Sequence, residues 1–280
     1  MRFTLGIVGH GTKPHARCFE DFARGLANAL RALGHEVIPP TDPTPGRLIV
    51  FGANLLIDPE EKLPKDAIIF NAEQVAAARD PAWFVPNFER YREFCIWDYS
   101  LVNITALKSL GIKHVVYCSI GYIPSMEWNQ PTVDEDIDVL HYGSMNARRR
   151  EILDALHDAG VRVQHLFGIY GDTRDAWIAR SKIVLNLHFY DRPIFEIFRV
   201  SHLLANRRCV VSEDGGQDPE LEAFAGRATK LVPRDQIVST CLELLRDDVA
   251  RREQALRGHV SFKELDLVAS VRDAVARSEA

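Results

Sequence analysis

The sequence predicts an α/β protein built from two Rossmann-like, doubly wound domains facing each other across a cleft. Three observations carry this expectation. Short apolar runs alternate with amphipathic helical stretches along all 280 residues. The alternation breaks once, over residues 121–136, where GYIPSMEWNQPTVDED holds two prolines, four acids and no periodicity. Beyond that linker the same strand–helix rhythm resumes, so the chain reads as two similar halves. The expected domains are residues 1–125 and 137–260, with residues 261–280 forming a C-terminal helix able to pack back on the first domain.

Each element has its own signal. Residues 3–8 are an apolar strand ending at Gly9-His10-Gly11. Phe19, Phe22, Leu26, Leu30 and Leu33 share one helical face, with Gly34 placed to stop the helix. Strands follow at 36–38, 47–51, 67–70, 94–97 and 114–118, with a helix over 100–110 and a proline-rich loop at 39–45. In the second half, strands at 137–142, 161–167, 183–187, 209–212 and 229–232 alternate with helices at 146–159, 173–180, 195–206 and 236–246. The tail from residue 248 is charged and helical.

Bulk composition narrows the function. Hydrophobic residues make up 46% and charged residues 26%, which suits a globular chain with a real core. The formal net charge of −5 comes without any basic stripe, which argues against a nucleic-acid binder. Five cysteines, odd in number and never spaced CxxC, argue against a disulfide framework and a zinc knuckle. Buried free thiols and a reducing, cytoplasmic setting are the expectation. The N-terminal apolar stretch is too short for a signal peptide, and no run is long enough to span a bilayer.

Parallel sheets bind ligands beyond the carboxyl ends of their strands, so the residues just after each strand are the candidates. Gly9-His10-Gly11-Thr12-Lys13 lets a ligand approach the backbone, with His10 as a base or donor; a plain tight turn explains it equally. His141-Tyr142-Gly143-Ser144-Met145-Asn146 opens a helix that Ser144 or Asn146 can cap. The free N–H groups and dipole of that helix attract a diphosphate. Arg148, Arg149 and Arg150 oppose the same dipole, so they make sense beside an anion; a solvated basic turn is the plainer alternative.

Phe167-Gly168-Ile169-Tyr170-Gly171 suits an opening for a flat nucleobase beside Tyr170, or an ordinary loop. The run from His188 to Arg199 is the most specific. Glu196 and Arg199 lie three apart on one helical face, fitting ribose hydroxyls and phosphate, or simply an ion pair between them. Ser212-Glu213-Asp214-Gly215-Gly216 is a further phosphate or sugar loop that would act through glycine N–H groups. In the first half, Asn71, Glu73, Gln74 and Asp98 follow strands and can contact an acceptor, act as base, or serve structure alone.

The runs DVLHYGSMNARRREILDAL and KIVLNLHFYDRPIFEIFRVSHLLANRRCVVSE resemble the donor-binding domain of GT-B glycosyltransferases. The likeness is to the "glycosyl transferases group 1" type, including spore-maturation-like members, over roughly residues 137–250. It implies transfer of a sugar from a nucleotide-diphosphate donor such as a UDP-sugar to a hydroxyl acceptor. The implied donor site comprises Gly143, Ser144, Arg148, Arg149, Tyr170, His188, Phe195, Glu196, Arg199 and Gly215, with Glu196 on ribose. Lys13, Asn71 and Glu73 fall on the acceptor side, with His10 or Asp98 as general base.

Many group 1 members carry a second glutamate eight positions before the ribose-binding one; this chain has His188 there. No metal and no cofactor beyond the nucleotide sugar are implied, because helix termini and basic side chains can stabilise the departing diphosphate. The acceptor class stays open among saccharides, lipid-linked glycans, small metabolites, proteins and modified nucleobases, and a homodimer is compatible with all of them. An epimerase of the same fold and a non-catalytic nucleotide-binding regulator are the rival readings.

Overall fold

A computed structural model describes residues 1–42, 44, 46–55, 62–75, 91–128, 134–190 and 193–279. The chain divides into two compact units. One comprises Met1–Ser125 with the chain from Leu265 onward; the other is Met126–Glu264.

The first unit is built on a six-stranded sheet of order β2-β1-β3-β4-β5-β6. Its strands are β1 (Arg2–Ile7), β2 (Glu36–Ile38), β3 (Arg47–Phe51), β4 (Ile68–Asn71), β5 (Cys95–Asp98) and β6 (Val115–Tyr117). Every pairing is parallel. β4 and β5 are buried along their whole length, which is why IIF and CIW read as unbroken apolar runs. Helices α1 (Glu20–Ala32) and α2 (Leu101–Ser109) provide two of the crossovers that the parallel order demands, from β1 to β2 and from β5 to β6. α1 presents Phe22 to Phe70, with ring centroids 5.1 Å apart. The side chain of Ser100 caps α2 by accepting from Asn103 N–H.

The second unit has order β8-β7-β9-β10-β11, again parallel throughout. Its elements alternate in sequence: β7 (Ile137–Tyr142), α3 (Ala147–Asp158), β8 (Val163–Leu166), α4 (Gly171–Ala179), β9 (Ser181–Asn186), α5 (Ile197–Ala205), β10 (Val210–Glu213), α6 (Pro219–Ala228), β11 (Lys230–Val232), α7 (Ile237–Arg246) and α8 (Asp248–Lys263). Val139, Leu156, Ile183, Leu185, Val211 and Ile237 meet in one core between sheet and helices. In both sheets the second strand lies on one side of the first and the third strand on the other. That reversal opens a crevice at the carboxyl ends of β1 and β3, and of β7 and β9.

The tail is two helices, α8 and α9 (Leu267–Arg277). Each starts at an aspartate: Asp247 accepts from Ala250 N–H and Asp266 from Ala269 N–H. α9 belongs to the first unit. Ser278 Oγ accepts from Trp97 Nε1 at 2.7 Å, and the backbone at 265–267 pairs with Tyr122. Gly121 is required for that approach, since a Cβ there would stand 2.6 Å from the Leu265 carbonyl and 2.7 Å from Leu267 N.

The break at 121–136 is anchored at both described ends. Trp128 N–H donates to Asn206 at 2.7 Å, and Asp136 pairs with Arg180 at 2.5 Å; residues 129–133 lie outside the described residues. Cys95, Cys118, Cys209 and Cys241 are buried and free, whereas Cys18 is exposed. Burial pushes Cys118, Cys209 and Cys241 up to about 12, so they stay protonated and inert. Among the described residues no helix is long and apolar enough to cross a membrane.

Candidate functional site

The crevice of the second unit gathers most of the candidate residues. β7 ends at Tyr142, and Gly143 follows with φ +121°, a conformation that favours glycine. A Cβ at Gly143 would stand 2.8 Å from Arg199 Nη2, so the glycine also makes room for that guanidinium. Asn146, rather than Ser144, caps α3: its side chain accepts from Arg149 N–H at 2.9 Å. The first turn of α3 holds arginines and no acid.

The three arginines of that turn take different fates. Arg150 is exposed. Arg148 crosses to the end of β10 and forms a two-pronged pair with Glu213, one prong at 2.6 Å. Arg149 turns inward, with only 2% of its side chain exposed. It donates to the carbonyls of Ser144, at 2.8 Å, and Leu187, and to Glu196 Oε1 at 2.8 Å.

Glu196 is the hinge of this cluster. It precedes α5 with φ −76° and ψ 61°, outside the helical region, so the helix begins at Ile197 and not at residue 195. Its Oε1 accepts from Arg149 and its Oε2 from Arg199 at 2.7 Å. Three guanidinium groups, on Arg148, Arg149 and Arg199, face two carboxylates, Glu196 and Glu213, which leaves one positive charge in excess. Arg149 Nε and Arg199 Nη1 are buried and have no hydrogen-bond partner among the described residues. Buried guanidinium donors left unmade are costly, which sets these two apart from the other arginine nitrogens of the cluster. Burial pulls Arg149 down to about 10, with Glu196 opposing the shift, so it stays charged at neutral pH.

Glu213 was expected in a loop open to phosphate. It lies instead inside β10, 2% exposed, because Arg148 and the His188 N–H draw it inward. Burial alone would raise its carboxyl; those two partners bring it below the usual range. The Gly215 N–H, expected to serve phosphate, donates to Glu222 Oε1 at 2.8 Å. His188 is 1% exposed, with Nε2 3.1 Å from the Asp214 carbonyl. Phe195 is fully buried against Phe224, so its side chain is core rather than ligand-facing. Tyr170 is half-buried at the N-cap of α4, beyond the end of β8.

Two further histidines sit beside the arginines. The register of β7 on β8 places His141 opposite His165, with their Nδ1 atoms 3.1 Å apart. Burial, then the charges of Arg199 and Arg149, hold His141 well below its ordinary value. Burial also lowers His165 and His188. These rings are neutral in the folded chain, whereas an unfolded histidine titrates near about 6.5.

The unfolded state therefore binds more protons below that pH. The stability owed to the neutral rings is complete above about pH 6.5 and is lost as pH falls below it, at up to about 1.4 kcal/mol per pH unit for buried His141. Thermal melting between neutral pH and pH 5 is expected to show falling stability, and His141→Gln is expected to flatten the fall.

The first unit gathers the remaining candidates at the ends of β1, β4 and β5. His10 is exposed and meets Glu20 at 3.1 Å. The N–H groups of His10, Thr12 and Lys13 donate to carbonyls of Ile7 and Gly9, so these three are taken up within the turn. The stem of Lys13 lies over Gly9. Asp98 is fully buried; its Oδ1 accepts from Ser100 N–H at 2.8 Å and its Oδ2 from Asn71 at 2.6 Å. That geometry suits holding Asn71 in place better than taking a proton from a substrate. Glu73 accepts from Asn54 at 3.0 Å, and burial raises its carboxyl above the usual range.

No protein-family profile matches the sequence. Uncharacterized protein L140 of Acanthamoeba polyphaga mimivirus is 28% identical over 234 residues, covering 81% of this chain and 76% of that protein. Two longer proteins of the same virus also match, and the chain covers only 13% and 28% of their lengths. Among solved structures, Anabaena HepE in complex with UDP and glucose superposes with a TM-score of 0.62 at 10% identity, covering 100% of this chain and 99% of that one. WaaG, a glycosyltransferase of lipopolysaccharide biosynthesis, gives 0.62 at 12% identity over 100% and 99%. T4 phage BGT in complex with UDP and Mn2+ gives 0.60 at 13% over 99% of each chain. With two parallel, doubly wound sheets that these structures match along their whole length, the chain has the GT-B glycosyltransferase fold.

Proposed function

We propose that this chain is a glycosyltransferase that moves a sugar from a nucleotide-diphosphate donor to a hydroxyl acceptor, with the diphosphate held at the carboxyl ends of β7 and β9. The observation that carries the proposal is the pair of guanidinium groups at that point, one buried and one largely so. Arg149 and Arg199 share a single carboxylate, and each keeps a donor without a partner among the described residues. The amino end of α3 adds a favourable dipole beside them. Donors fixed where negative charge grows on the departing diphosphate stabilise the transition state without reorganising.

The arginines supply the positive charge that a divalent ion otherwise would, so the reaction is proposed to need no metal. HepE and BGT hold UDP in their solved complexes, which makes UDP the first nucleotide to test. Tyr170 and the exposed Phe167, both beyond β8, are the proposed face for the base. On the acceptor side, His10 and Glu73 are the proposed proton acceptors, with Lys13 and Asn71 as acceptor contacts. Burial of the Glu73 carboxyl favours its protonated form and so strengthens it as a base. The free, largely buried thiols fit a reducing compartment.

The test is incubation with UDP-, GDP- and ADP-sugars, with and without saccharide, lipid-linked and small hydroxyl acceptors, following release of nucleoside diphosphate. Release that rises with acceptor and survives EDTA is expected. Conversion of the nucleotide sugar without any release would instead identify an epimerase. Binding without turnover would identify a regulator.

A further inference from the structure

Helix α8 carries apolar side chains that its own domain does not use. Its inner face is fixed on α5 and α6. Phe262 is fully buried with its ring 6.4 Å from that of Phe224. His259 Nδ1 lies 3.1 Å from the Leu204 carbonyl, and a Cβ at Gly258 would stand 2.4 Å from the Ala228 carbonyl. The outer face nevertheless holds Val249, Leu256 and Val260, which are 67%, 55% and 53% exposed. Single exposed apolar residues are ordinary, but these three are gathered on one helix. With Glu253 they recur at steps of four, three and four, the spacing of a coiled-coil seam.

The charges on this face select its occupant. Glu253 stands exposed in the middle of the stripe. Covering the stripe with a lipid surface or a plain apolar groove would strip water from that carboxylate without replacing it. A second α8 running antiparallel answers it. In that register Val249 lies across from Val260 of the second copy and Leu256 across from its Glu253, whose carboxylate then falls beside Arg257. The two-fold axis repeats each contact, so the two helices form two Glu253–Arg257 pairs. A parallel pairing would instead set the two Glu253 carboxylates against each other. Within one chain Arg257 donates to Gln254 of its own helix.

We propose that the outer face of α8 is a self-complementary docking surface for α8 of a second copy of this chain. Val249, Leu256 and Val260 supply the attraction, and Glu253 with Arg257 fixes direction and register. A seam one helix long, about 24 Å for the 16 residues of α8, lies at the low end of specific interfaces, so the dimer exchanges with monomer.

Sedimentation velocity of the full chain, from micromolar to submillimolar concentration, is the test. A reversible monomer–dimer equilibrium is expected. Leu256→Glu is expected to weaken it about 10-fold or more, because it places an unpaired charge at the seam. Glu253→Arg and Arg257→Glu are each expected to weaken it, and the two together to restore it. All three positions are exposed, so thermal melting is expected to match the wild type. Should Leu256→Glu melt early, Leu256→Ser reads the same loss. A chain that stays monomeric throughout would overturn the inference, as would a dimer indifferent to Leu256→Glu or a charge exchange that fails to restore association. A monomer that pellets with phosphatidylserine vesicles, and ceases to when Leu256 is replaced, would assign the face to a membrane instead.

Discussion

Arg149→Met is expected to destabilise the second domain by about 3–5 kcal/mol, the usual consequence of removing one member of a buried ion pair. The side chain is 2% exposed and reaches three acceptors on two separate loops: the Ser144 carbonyl before α3, the Leu187 carbonyl after β9, and Glu196 before α5. Methionine fills much of the volume but leaves those carbonyls unpaired in the interior and Glu196 with Arg199 alone. Arg150→Met is the matched control. It sits next in sequence, is exposed, and is expected to change stability by less than about 0.5 kcal/mol. Denaturant unfolding monitored by circular dichroism gives both values. Equal effects at the two positions would show that the inward turn of Arg149 is not what holds the loops together.

Arg199→Met is expected to separate binding from stability. Glu196 keeps its bond to Arg149, and Arg199 is 15% exposed, so the fold loses only about 1 kcal/mol. Affinity for a nucleoside diphosphate is expected to fall about 10- to 100-fold, the worth of a charge-assisted contact to phosphate. Arg148→Met provides the contrast. Its guanidinium is already committed to Glu213, so its loss should act on stability more than on the ligand. The comparison is read from UDP titrations of the three proteins under one buffer. A weaker effect at Arg199 than at Arg148 would move the anion site away from α5.

Much of the fold is legible in the sequence. Strands such as CIW and IVL are buried on both faces, so they read as continuous apolar runs, and the α1 stripe from Phe22 to Leu30 follows one helical face. Boundaries slipped where side chains overrode local pattern. The stretch expected as a helix from residue 195 begins at Ile197, because Phe195 is drawn into the core and Glu196 into the arginine cluster.

The site was legible in residue type and not in partnership. Arg149 meets Glu196 across 47 residues, Arg148 meets Glu213 across 65, and His141 meets His165 across 24, by strand register alone. Spacing rules see three or four residues along a helix and cannot see across a sheet. Glu213 reads as an acid of the loop after β10 because its partner Arg148, 65 residues away, is invisible to spacing.

We propose that this crevice recognises the charge of a diphosphate through Arg149 and Arg199, each of which has one nitrogen without a partner among the described residues. Calorimetric titration of the full chain with UDP and, separately, with uridine tests it most directly. UDP is predicted to bind saturably and about 100-fold or more tightly than uridine, equivalent to roughly 3 kcal/mol of phosphate recognition. Equal affinities, or no saturable UDP binding at all, would contradict the assignment.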